Sequence, residues 1–226
     1  MANLALSRKV KDNCVDWCNL WLSWQTATER GLVLAKSIAT RRIKLLEYDA
    51  KMVKSCNART VDVESITGAN NDFDPDFDRD EMMFEMDREC ETLLSVTEEL
   101  EQLVLKMHLV ADSFEALQKL NESSSGVREA ENQETKMFTG VESFRRRKLE
   151  PVFSLLTIVD FSRESKLTAD ALSAELQSKR AICADIGLAT SRAMVMTCIA
   201  AWAHQPYLNE GNISSIIAVV KEECGL

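Results

Sequence analysis

Apolar or small residues recur along the first quarter of the chain at Val10, Cys14, Trp17, Trp21, Trp24, Gly31, Ala35, Ile38 and Leu45. Intervals of three and four residues are the repeat of a helix whose seam faces a partner helix, so the pattern predicts a helix over 7–54 with Ser7 as its N-cap. Gly31 lowers helix propensity and marks either a bend, which would split this helix in two, or a close approach of another helix. The pattern then stops in an acidic, Gly- and Pro-punctuated stretch that reads as a linker over 55–79. It resumes at Met86, Cys90, Leu93, Thr97, Leu100, Val104, Met107, Ala111 and Phe114, predicting a coiled-coil helix over 80–121 that contains neither Gly nor Pro. Residues 122–140 read as a second linker. A helical region over 141–187 follows, with Pro151 breaking it or sitting at the first turn of its main part, and Gly187 at its end. Two shorter helices are expected over 189–203 and 212–223, separated around Pro206 and Gly211. The expected fold is all-α: an elongated helical bundle or coiled-coil hairpin with short C-terminal helices, in a single helical domain over 1–226.

Composition agrees with long helices. Seven Gly and three Pro in 226 residues are too few for the turns of an all-β chain. A net charge of −9 disfavours a phosphate-backbone binder, whose affinity rests on Lys and Arg releasing counterions, so no direct nucleic-acid partner is expected. No run approaches the length of a membrane-spanning helix, and the charged start does not resemble a signal peptide. Seven cysteines in such a chain fit a reducing compartment with free, packed thiols.

Three of the four tryptophans stand at 17, 21 and 24, spaced so that their rings share one helical face. Such a stripe serves as core packing against the 80–121 helix, as a ligand site, or as a seam for another subunit; packing is the commonest use, and Trp is also enriched at interface hot spots. Cys14-x3-Cys18 supplies only two of the four ligands that zinc requires, and His108 and His204 stand at no metal spacing from them. Asp74, Asp76, Asp78 and Glu85 imitate a calcium loop, but Arg79 occupies the turn position that demands Gly and Pro75 intrudes. The one basic cluster, Arg145 to Lys148, contains Arg147-Lys148-Leu149, the loose Arg-x-Leu pattern by which cyclin clients dock; the same charges suit a nuclear localisation signal. No Gly-rich phosphate loop, nucleophile elbow or zinc-protease motif is present, so neither catalysis nor a cofactor or metal is expected.

Two blocks, SRKVKDNCVDWCNLWLSWQTATERGLVLAKSIATRRIKLL (7–46) and KRAICADIGLATSRAMVMTCIAAWAHQPYL (179–208), resemble the cyclin-dependent kinase 2-interacting protein family. The resemblance rests on R-K-V-K-D-N, D-W-x-N-L and the second Trp at 24, and on the C-terminal W-x-H-Q-P-Y. It implies a non-enzymatic adaptor of nucleus and cytoplasm. Its implied partners are cyclin-dependent kinase–cyclin complexes, the ATR-interacting checkpoint protein, and spermatogenesis-associated AAA ATPases with their helical co-subunit. The processes implied are origin firing and DNA replication, the DNA damage checkpoint, and late pre-60S ribosome maturation. On this reading the partner-binding residues are Lys9, Lys11, Asp12, Asn13, Asp16, Trp17, Asn19, Trp21 and Trp24 at one end, and Trp202, His204, Gln205, Pro206 and Tyr207 at the other, with Arg147 and Leu149 as the cyclin-docking pair. For His204 a second account is a cap on the helix that ends before Pro206. The rival from another class is a structural coiled-coil tether or scaffold subunit unrelated to kinases, self-associating through 80–121.

Overall fold

A computed structural model describes residues 2–59, 78–133 and 157–224, and every regular element in them is helical. In chain order these are α1 (Ala2–Arg59), α2 (Arg79–Gln133), α3 (Ile158–Asp185), a 3-10 turn (Ile186–Leu188), α4 (Arg192–His204) and α5 (Glu210–Cys224). The fold is all-α. None of these helices is long and apolar enough to cross a membrane.

The first helix is one piece. It begins before Ser7, which lies inside it rather than at its cap, and it passes Gly31 without interruption. One glycine costs only about 1 kcal/mol in a helix interior, and a helix of 58 residues with two packed stretches absorbs that cost. Of the two roles open to Gly31, the close approach is the one realised: a Cβ placed there would lie 2.2 Å from Cζ2 of Trp202. The second helix likewise runs past the expected end at 121, to Gln133. Asn121 to Gln133 contains serines and Gly126 but no Pro, so nothing in it forbids helical dihedrals. The basic cluster at 145–148, Pro151 and the acidic residues 60–77 lie outside the described residues.

Helices α2 to α5 each begin at a side-chain cap. The Asp78 carboxylate accepts from the backbone N–H groups of Asp80 and Glu81, both at 3.0 Å. Thr157 and Asp160 form a reciprocal box: the Asp160 carboxylate accepts from Thr157 N and Oγ1, and Thr157 Oγ1 accepts from Asp160 N. Ser191 and Asn209 cap α4 and α5 by accepting from Met194 N and Asn212 N. The end of α4 is made by Gln205 in the left-handed region, φ 44°. His204 is the last helical residue and exposed, so the αL backbone of its neighbour terminates the helix.

The chain divides into two compact units: Met1–Gln25, Glu101–Ala174 and Tyr207–Leu226 in the first, Thr26–Leu100 and Glu175–Pro206 in the second. In the first, Trp17, Trp21, Phe114, Phe161, Ile213 and Val220 are buried, with Phe114 and Phe161 stacked at 5.8 Å. In the second, a cluster including Ala35, Ile38, Leu93, Ile186, Val195 and Trp202 forms the core. There α1 and α2 run antiparallel, as a hairpin requires: Arg30 pairs with Glu99, Arg41 with Glu85 and Glu89, and Asp49 with Arg79. These pairs stand near the surface and set register more than they stabilise, at about 0–1 kcal/mol each.

Candidate partner-binding site

The N-terminal stripe folds inward. Trp17, Trp21 and Trp24 retain 1%, 2% and 0% of their accessible surface, so their rings are core of the first unit and offer no face to a partner in this conformation. Their spacing puts them on one side of α1, and burying large aromatic surface there holds the helix to its neighbours. Trp17 Nε1 finds no hydrogen-bond acceptor among the described residues. The polar residues between the rings point elsewhere. Lys9, Asp12, Asp16 and Asn19 are exposed. Two others serve the fold: Asn13 Nδ2 donates to Ser113 Oγ at 2.7 Å, and Lys11 Nζ donates to the carbonyl of Glu223 at 3.3 Å.

At the other end, Trp202 is fully buried in the second unit. Its Nε1 donates to the carbonyl of Thr28 at 3.0 Å, and its ring fills the space that Gly31 leaves. Beneath it lies a charged pair that the sequence reading missed. Lys179 and Glu175 are both wholly buried and 3.0 Å apart; Lys179 Nζ also donates to the Trp202 carbonyl at 3.2 Å and sits 4.6 Å from its ring centroid. Burial pushes the Lys179 pKa down, against the opposing pull of Glu175. A signal for the pair existed. Ala169, Leu172, Ile182 and Ile186 continue a seam in which 175 and 179 take the intervening core positions, and charges on such a seam must be paired. Gln205 is buried, whereas His204, Pro206 and Tyr207 are exposed.

Thiol chemistry has no foothold in these surroundings. Burial raises the Cys14 thiol, pushes Cys18 up to about 11 and Cys183 up to about 12, so all three stay protonated at neutral pH. Among the described residues no three of His, Cys, Asp and Glu are arranged to hold a metal ion. The pseudo-calcium pattern is spent on structure where it can be seen, with Asp78 capping α2 and Glu85 paired with Arg41. Arg147 and Leu149 lie outside the described residues.

What remains is a surface of exposed polar side chains over an aromatic core, at two places along the chain. Comparison with curated proteins gives that surface a context. A Bos taurus protein named cyclin-dependent kinase 2-interacting protein is 30% identical over 206 residues, which are 91% of this chain and 84% of the relative. The chain belongs to the cyclin-dependent kinase 2-interacting protein family. Relatives of the same name from Mus musculus and Xenopus laevis are 27% and 26% identical, the latter over 98% of this chain and 90% of its own length. No family model matches. In this member of the cyclin-dependent kinase 2-interacting protein family, D-W-x-N-L and W-x-H-Q-P-Y each contain buried tryptophans that build the fold and neighbours exposed to solvent.

Proposed function

We propose that this chain is a non-catalytic protein-binding subunit that engages a cyclin-dependent kinase complex. The observation that carries the reading is the family relationship, whose members are named as interacting proteins rather than enzymes. The contact residues are the exposed ones of the two motifs: Lys9, Asp12, Asp16 and Asn19 at one end, His204, Pro206 and Tyr207 at the other. Arg147 and Leu149 supply a cyclin-docking pattern, a cation for an acidic patch and an apolar side chain for a pocket. The finer reading makes the chain an adaptor of nucleus and cytoplasm, linking replication and checkpoint machinery, including the ATR-interacting protein, or an AAA ATPase assembly of pre-60S maturation to clients.

The test is binding of the purified chain to a reconstituted cyclin–cyclin-dependent kinase 2 complex, followed by calorimetry. Arg147→Ala with Leu149→Ala, and separately Asp12→Lys with Asp16→Lys, should each weaken binding by about tenfold or more, a loss of about 1.4 kcal/mol, with helicity unchanged. Absence of binding by the wild-type chain at micromolar concentration would reject the kinase reading. A second reading, a self-associating coiled-coil tether, has one observation in its favour: Leu105, Leu109 and Leu120 are exposed on one face of α2. Sedimentation equilibrium separates the two, since the tether requires a concentration-dependent dimer that Leu109→Glu abolishes.

A further inference from the structure

The second helix carries apolar side chains on two sides. Within the second unit, Met86, Leu93, Val96 and Leu100 are buried on the side turned to the core. On the outward side, Phe84 is 71% exposed and Leu94 is 48% exposed. They belong to a second seam. Asp80, Phe84, Asp87, Glu91, Leu94 and Glu98 follow one another at intervals of four and three residues, and all six are exposed. That repeat is the one by which a helix meets another helix along its length. A large aromatic ring left open on such a seam suits an interface, where aromatic side chains are enriched over the rest of the surface.

The seam is acidic. Its polar positions are all carboxylates, and between Asp80 and Glu98 the helix has a single cation, Arg88. The arginines by which α1 reaches this part of α2 are already engaged, Arg30 by Glu99 and Arg41 by Glu85 and Glu89. Among the described residues Asp80, Asp87, Glu91 and Glu98 have no ion-pair partner. This charge selects the occupant by complementarity. Phosphate backbones and anionic lipid are repelled, and a second copy pairing through the same seam would set carboxylates against carboxylates. A small polycation satisfies the charge but gains nothing from Phe84 and Leu94.

We propose that this outward face of α2 is the docking surface for a basic amphipathic helix of a partner protein. Lys or Arg side chains of the partner meet Asp87, Glu91 and Glu98, and its apolar side chains cover Phe84 and Leu94. Phe84 and Leu94 lie about 15 Å apart along the helix axis, so the partner needs about three turns to reach both. The surface lies on one helix within the second unit and uses none of the residues assigned to kinase contact. Its failure and that of the preceding proposal are therefore separate results.

The experiment is a selection of a displayed library of random peptides, each about 16 residues long, enough for four turns of an amphipathic helix. The bait is the full-length chain, with counter-selection on Phe84→Ala and on Asp87→Lys with Glu91→Lys. All three substituted positions are exposed, and circular dichroism and urea midpoints establish that each variant is folded before use. The expected winners are basic peptides with apolar residues three and four apart. By fluorescence anisotropy they should lose about tenfold or more in affinity on each variant, and weaken as salt rises. Failure to enrich any peptide, or enrichment without the basic and apolar pattern, would overturn the proposal. Undiminished affinity for Phe84→Ala would also overturn it, since charge alone then accounts for binding. Two further results would assign the face to another occupant and so overturn it: a dimer in sedimentation equilibrium that Phe84→Ala abolishes, which names a second copy, or winners that bind about tenfold tighter once Arg145, Arg146, Arg147 and Lys148 are replaced by Gln, which names the chain's own basic cluster.

Discussion

Gly31 and Trp202 are 171 positions apart in the sequence and meet as a notch and its filling. An alanine methyl at 31 would stand 2.2 Å from the indole ring, far inside contact distance, and the ring is pinned by its hydrogen bond to Thr28. Gly31→Ala should therefore destabilise by about 1–3 kcal/mol even though alanine is the better helix former. A lower urea midpoint measures it, and the cost should shrink in a Trp202→Phe background because the two changes share one space. Lys179 is the other position whose role comes from its surroundings. Lys179→Ala leaves the buried Glu175 carboxylate without its cation and should cost about 3–5 kcal/mol, whereas Lys179→Met with Glu175→Leu should cost markedly less than the sum of the single changes. Chemical denaturation of the three variants distinguishes a required pair from two independent contributions.

The start of α3 is fixed by a local signal, the box that Thr157 and Asp160 form. Thr157-x-x-Asp160 is a capping box readable from the residues, but the apolar pattern extends upstream and invites an earlier start, at 141. Thr157→Ala should cost about 1 kcal/mol. It should also alter the acid limb. The hydrogen bonds from the Thr157 side chain and backbone hold the Asp160 carboxyl below its ordinary 3.8, so their stabilisation is present above that value and is lost as pH falls through the lowered one. In Thr157→Ala that part of the acid loss should be reduced, which urea titrations at several pH values below about 5 would detect. The antiparallel pairing of α1 and α2 was legible because both carry long seams in phase. The course of α2 to Gln133 was not, because a polar stretch with serines reads as linker unless something shows that its backbone remains helical.

Across the chain, buried thiols set the alkaline behaviour. Cys14, Cys18 and Cys183 have pKa values raised above the ordinary 9.0 by burial, so the native state keeps protons that the unfolded state releases. Their stabilisation is complete below that value and is lost as pH rises through the raised ones, and Cys90, Cys198 and Cys224 are raised in the same direction; Lys179, with its pKa lowered, works in the opposite sense. The urea midpoint should fall between about pH 8.5 and about pH 11, and Cys18→Ala should make that fall shallower.

The pattern of apolar positions determined the all-α class, the hairpin of two long helices and the shared face of the three tryptophans, because a helix that buries one face must repeat that face every three to four residues. The two motif blocks were likewise enough to indicate the family. Tertiary structure alone decided which residues of those motifs face solvent, that Gly31 receives Trp202, and that the Lys179–Glu175 pair lies beneath the Trp202 ring. Periodicity assigns a residue to a face of its own helix. Which other face it meets is settled by packing between segments more than a hundred residues apart, and no local pattern encodes that.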